Sequence, residues 1–163
     1  MLFVSYSWLD GEPDFKVLEF VNYLRKSGYN AKCDVIFKQQ ETALNLDNMM
    51  NGALSKAKKV IIVLTKKYKE KADLLVGGVG KEFKYIVGDI ERNKKKYILV
   101  SLEPINQNLL NCIVPKLFKG RDVTDLTKEE GYKSLFAKLN DTIEYKFADV
   151  AAVKPNVNPT IIK

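Results

Sequence analysis

The sequence predicts an α/β protein built on a doubly wound parallel sheet of about five strands, with helices on both faces. Two observations lead there. Short apolar runs alternate with helical periodicity four to five times along the chain, the signature of successive strand–helix units. Lys59–Thr65 (KVIIVLT) is an unbroken β-branched run, which fits a strand buried on both faces. With its 163 residues the chain is long enough for one domain with a proper core.

Taken in order, Leu2–Ser7 reads as a buried first strand and Trp8–Pro13 as a loop. Asp14 is placed to cap a helix ending near Gly28, with Val17, Leu18, Val21 and Leu24 inward. Tyr29–Val35 reads as the second strand, and Phe37–Thr42 as a polar loop. Leu44–Lys56 carries Leu46, Met49, Met50, Ala53 and Ala57 at helical spacing, a core pattern more than a ligand groove. Lys59–Thr65 is the third strand, and Lys66–Asp73 a lysine-rich loop. Tyr97–Leu102 is the fourth strand, so strands one, three and four are expected at the centre. A short helix is expected near Asn108–Ile113, an edge strand within Leu117–Val123, and a last helix from Lys128 to about Ile143. The tail from 147 to 163, with Pro155 and Pro159, reads as a linker or frayed end after a domain spanning 1–146.

Composition removes whole chemistries. The chain has no histidine, so Ser–His–Asp and Cys–His catalysis and His-based zinc sites are excluded. Cys33 and Cys112 each sit among apolar residues and read as buried free thiols; no metal site is expected. The formal charge of +7 favours anionic partners in general. No basic stripe interleaved with aromatics calls for nucleic acid. Neither a signal peptide nor a membrane-spanning run is read, so the expected setting is cytoplasmic, without a membrane partner.

The chemistry concentrates at Leu74–Arg92, LLVGGVGKEFKYIVGDIER. Gly77, Gly78 and Gly80 form a glycine-rich turn, and Glu82 follows in the first turn of a helix whose stripe is Phe83, Ile86, Val87 and Ile90. The helix dipole is expected to keep Glu82 ionised near neutral pH. As Glu82 flanks the stripe, it is expected to be exposed and to face the strand-end cleft, where ligands of such sheets bind. A single carboxylate can stabilise the oxocarbenium ion of glycosidic cleavage. If the leaving group is already cationic, as in a nicotinamide nucleotide, no general acid is needed. The glycine turn, Lys38 and Lys81 could hold a pyrophosphate. A GxGxxG fingerprint, a Walker A motif and a receiver-type acidic pair are all missing from their required places.

FVSYSW, LRKSGYNAKCD, KVIIVLTKKY, GGVGKEF and RDVTDL, in this order, resemble the Toll/interleukin-1 receptor (TIR) domain, and more closely its bacterial, SEFIR-like branch. The resemblance spans about Leu2 to Ile143. It implies a flavodoxin-like fold and, in catalytic members, cleavage or cyclisation of NAD as substrate by a glutamate that matches Glu82, with no cofactor. Many catalytic members have WxxxE, whereas here Gly78 stands four residues before Glu82. That form is similar to TIR domains fused to STING-type cyclic-dinucleotide sensors. The resemblance also places Ser7 and Trp8 beside the nucleotide and Asp34 at the end of strand two. Trp8 is equally a surface aromatic, and Asp34 equally a cap. Val35–Thr42 matches a self-association loop, and its polarity implies weak, salt-sensitive TIR–TIR contacts. The implied role is an NAD-consuming effector of anti-phage defence, assembled by a fused or partner sensor. The alternative is an adaptor acting only through TIR–TIR contacts.

Overall fold

The computed structural model describes residues 1–163. Five parallel strands lie in the order β2-β1-β3-β4-β5: β1 Leu2–Ser5, β2 Ala31–Lys32, β3 Lys59–Val63, β4 Tyr97–Ser101 and β5 Val123–Asp125. The central three are β1, β3 and β4, as their apolar runs predict. Phe3 pairs with Val60 and Ile61 with Ile98, which fixes the register of the buried centre.

Side chains alternate across these strands, so each strand feeds two cores. Leu2, Val4, Ile61, Val63, Ile98 and Val100 meet helices α1 (Phe15–Lys26) and α7 (Glu129–Asn140). Phe3, Val60, Ile62 and Leu99 meet α3 (Leu46–Lys56), α4 (Lys66–Leu74), α5 (Gly77–Asp89) and α6 (Gln107–Ile113) on the other face. Helix α1 starts as expected, with Asp14 accepting from the Lys16 N–H.

Several local expectations are corrected. The second strand is only two residues long, because Asp34–Gln40 forms a helix, α2, that takes in the last two residues of the expected strand and most of the expected polar loop. Phe37 from α2 packs against the core, which gives that polar segment a tertiary reason to coil. The lysine-rich stretch is helix α4. Thr65 caps it by accepting from the Tyr68 N–H, and Tyr68 and Ala72, one turn apart, are fully buried. Its lysines solvate the opposite face, and the eye reads that charge as loop.

The remaining corrections are smaller. The fifth strand begins only at Val123, preceded by a 3-10 turn at Lys116–Phe118. Helix α7 stops at Asn140, capped by Asp141 in a left-handed conformation, so Ile143 of the expected apolar stripe is exposed. Cys33 is buried, but Cys112 is exposed on α6. Residues beyond 140 carry no helix or strand. No helix is long and apolar enough to cross a membrane.

Candidate functional site

The site forms where α4 turns into α5. Helix α4 ends with Leu75 in the left-handed conformation (φ 53°), and Val76 then caps α5. The connection is therefore Leu75–Val76. Gly77, Gly78 and Gly80 lie inside the first turn of α5, not in a loop before it, and Glu82 falls in the second turn. Gly77 has φ +65°, a value open to glycine at little cost. A Cβ on Gly80 would sit 2.3 Å from the Leu75 carbonyl carbon, so glycine is required there for close packing. A Cβ on Gly77 or Gly78 would meet nothing.

Glu82 is not exposed: its relative accessibility is 4%. Its carboxylate accepts a hydrogen bond from the Ser5 hydroxyl at the end of β1. Ser5 follows Phe3 by two residues, so it points to the α4–α5 face of the sheet and meets the second turn of α5. Burial pushes the Glu82 carboxyl up to about 8; the Ser5 hydrogen bond opposes the shift and the Asp34 charge adds to it. The expected ionised state at neutral pH is therefore corrected. Removal from water outweighs the field of a helix end one turn away.

Glu82 nonetheless lines a strand-end cleft of about 570 Å³, bounded by the β1 loop, α2, α3 and α5. On one wall the Trp8 indole N–H donates to Asp34 Oδ2 at 2.8 Å, and Lys38 Nζ stands 4.2 Å from the Trp8 ring centroid. Asp34 Oδ1 also accepts from the Val35 N–H at 2.8 Å. Trp8, Asp34, Lys38, Gly78, Lys81 and Glu82 thus share one cavity. Lys81 is held by Asp47, with Nζ 2.9 Å from Oδ1, at the exposed rim.

Other expected members fall outside it. Ser7 is buried and donates to the Trp8 carbonyl at 3.1 Å, away from the cleft. Gly77 and Gly80 shape the corner without lining the cavity.

Three kinds of residue were missed. Ser5, which holds Glu82, was signalled by its two-residue offset from Phe3. Leu46, Met49 and Met50 line the cleft from α3, although Met49 also packs in the core, so the core reading of these methionines is half correct. Tyr6 lines the cleft, and its buried hydroxyl has no hydrogen-bond partner.

The five-stranded parallel sheet in the order β2-β1-β3-β4-β5, with helices on both faces, places the chain among flavodoxin-like α/β domains. The TIR domain family profile matches residues 2–139. The chain belongs to the TIR domain family. It is similar to a prokaryotic SEFIR domain of known crystal structure, at 30% identity over 84% of this chain and 96% of that one, with a TM-score of 0.61. Its fold is also similar to the TIR domains of the activated Roq1 resistosome that directly recognises the pathogen effector XopQ. There the identity is 17%, over 86% of this chain and 97% of that one, with a TM-score of 0.53. Comparison with curated proteins found no match.

Proposed function

We propose that this TIR domain cleaves the nicotinamide–ribose bond of NAD, with Glu82 as the catalytic carboxylate, when copies assemble. The observation that carries the reading is Glu82 itself: a buried carboxyl, anchored by Ser5, in a cleft lined also by an indole and four lysines. A scaffold that acted only through its surface would gain nothing from burying a carboxyl there.

The bond to be broken joins the ribose C1′ to the pyridinium nitrogen. Its electron pair leaves with the ring, which becomes neutral nicotinamide, and the ribose becomes an oxocarbenium ion. A carboxylate beside C1′ stabilises that cation, and water then adds and releases a proton. Within the fold Glu82 is mostly neutral at pH 7, given its upward shift to about 8. A bound pyridinium brings a positive charge into a poorly hydrated space and favours the carboxylate there. Substrate binding would thus switch on the charge that the reaction uses. Trp8 offers an aromatic face, and Lys38 and Lys81 offer positive charge to the phosphates.

The test is nicotinamide release from NAD by concentrated or scaffold-clustered protein, followed chromatographically beside Glu82→Gln. The reading expects release by the parent alone. Equal turnover in both removes Glu82 from the chemistry. Turnover in neither, even when clustered, leaves the adaptor role acting through TIR–TIR contacts.

A further inference from the structure

Three grooves adjoin at the end of the sheet opposite the cleft, where Lys59 and Tyr97 begin β3 and β4. The first, about 490 Å³, lies under β3, β4 and the end of α7, and the second, about 580 Å³, holds the turn between α5 and β4. The third, about 510 Å³, lies between α4, α6 and the 3-10 turn. Lys59, Lys94 and Lys95 line both of the first two, and Arg121 lines the first and the third, so the three form one belt.

The belt collects the charge of the whole molecule. It is lined by eleven of the 27 Lys and Arg residues but by only three of the 20 Asp and Glu: Glu91, Asp122 and Asp141. The 16 basic and 17 acidic residues left elsewhere nearly cancel, so the net +7 resides here. Six of the eleven have a carboxylate within ion-pair distance. Lys58, Arg92, Lys95, Lys116 and Lys119 have none and are exposed. Cations gathered without counter-charges repel one another, and an anion bound among them removes that repulsion.

Shape and lining select the anion. A second copy of this chain offers no matching acidic face, because charge elsewhere is mixed; the groove beside Cys112, for example, sets Glu70 and Glu103 against Lys66 and Lys67. Protein partners are anchored by apolar and aromatic side chains, and their interfaces are poor in lysine. Here Leu110 and Val114 are the apolar lining of the third groove, and Ala57 that of the second. Phosphate backbones, in contrast, are held by Lys and Arg.

The path is also curved. Lys69 on α4 belongs to the helix layer on one face of the sheet and Lys138 on α7 to the layer on the other, with Arg121 between them just before the edge strand β5. A flat membrane or a straight duplex touches one side of such an edge, whereas a flexible chain follows round it. Tyr97, the aromatic residue of the first groove, is partly buried and donates its hydroxyl to Asp89. Bases therefore find no stacking platform, and contact is to phosphates without regard to sequence.

We infer that this belt binds a flexible phosphate polymer, single-stranded nucleic acid or polyphosphate, through its anionic backbone. The residues run from Lys58 to Lys138 in the chain, which is why no basic stripe is legible in the sequence. Because the cleft opens at the other ends of the strands, a polymer held here leaves Glu82 uncovered, and a long one can hold several copies. Binding to the belt is independent of the NAD reading and is measured without NAD.

The test is fluorescence anisotropy of a labelled oligothymidylate of about 20 nucleotides, long enough for one site, titrated with the full chain. Binding should be in the micromolar range or weaker at low salt, and log K should fall with log salt with a slope of roughly −2 to −4, at about −0.7 per phosphate contact. Oligouridylate and polyphosphate should both displace the label, and the one that does so at lower phosphate concentration identifies the source. Lys95→Gln with Lys119→Gln should weaken binding several-fold and reduce the slope by about 1.4, two contacts' worth. Lys16→Gln with Lys66→Gln, the same charge change at the cleft end of the sheet, should alter binding little, and thermal melts check that both pairs fold. Equal losses in the two pairs would assign binding to net charge and overturn the belt. Polyglutamate or a duplex competing better than the single strand, or no binding at low salt, would overturn it as well.

Discussion

Gly80 lies so close beneath Leu75 that a Cβ there would approach the Leu75 carbonyl carbon to 2.3 Å and its oxygen to 2.7 Å. This contact sets the corner between α4 and α5, and through it the placement of Glu82 two residues on. Neither partner can give easily, because the clash is with backbone and Leu75 already holds a left-handed conformation.

Gly80→Ala should therefore destabilise the domain by about 2–4 kcal/mol, as overpacking against backbone does. Gly78→Ala meets open space within the same helical turn. It should change stability by less than ~1 kcal/mol, in the stabilising direction. Thermal melts of the two variants check the contrast, and equal effects would rule out the packing account.

Glu82→Gln should alter the pH dependence of stability. The Glu82 pKa is raised from 4.5 in the unfolded chain to about 8 in the fold. The folded state therefore binds the extra proton, and the sign is fixed: stability is highest below about pH 4.5 and falls as pH rises toward 8. The loss due to this group is on the order of a few kcal/mol at most. Glutamine is neutral at every pH and lacks that penalty, so the variant should be more stable than the parent at pH 9 and close to it at pH 4.5. Denaturant unfolding at those two pH values checks this. The exposed helix-start residue expected from sequence would have shown no such crossover.

Trp8 should act on binding more than on chemistry. Its indole N–H is held by Asp34, and Lys38 covers part of its ring, so the ring is fixed at the cleft wall. Trp8→Ala should raise KM for NAD about 3- to 10-fold with a smaller change in kcat, the scale of one aromatic stacking contact. Trp8→Phe keeps an aromatic face and should retain most of the binding. A loss confined to kcat would place Trp8 in another role.

Lys59 and Asp141 should respond asymmetrically. Lys59 is buried, and its ammonium donates to Asp141 Oδ1 and to the Lys95 carbonyl, both at 2.5 Å. Asp141→Ala leaves that charge buried with one neutral acceptor and should lower the melting temperature by several degrees. Lys59→Met removes the buried charge and leaves an accessible carboxylate, so it should be tolerated. Matching losses in the two variants would contradict this asymmetry.

Sequence alone determined the layered fold. β1, β3 and β4 are apolar runs because each is covered on both faces, and a strand buried on both sides has no polar alternation to hide it. The same holds for the α5 stripe of Phe83, Ile86 and Ile90, and for the Asp14 cap. Glu82, Trp8 and Lys38 were also legible as neighbours at the strand ends, because the strand-end rule brings their loops together, and Asp34 only through the family resemblance.

Tertiary structure decided the rest. Helices α2 and α4 carry mostly polar side chains and are held by a few apolar contacts, the partly buried Phe37 in one and the buried Tyr68 and Ala72 in the other. Local periodicity is weak when so few positions face inward. The electrostatic state of Glu82 was likewise invisible from spacing. It depends on Ser5 and Asp34, both far from Glu82 in the chain, and on how much water the fold excludes around side chains that no local pattern connects.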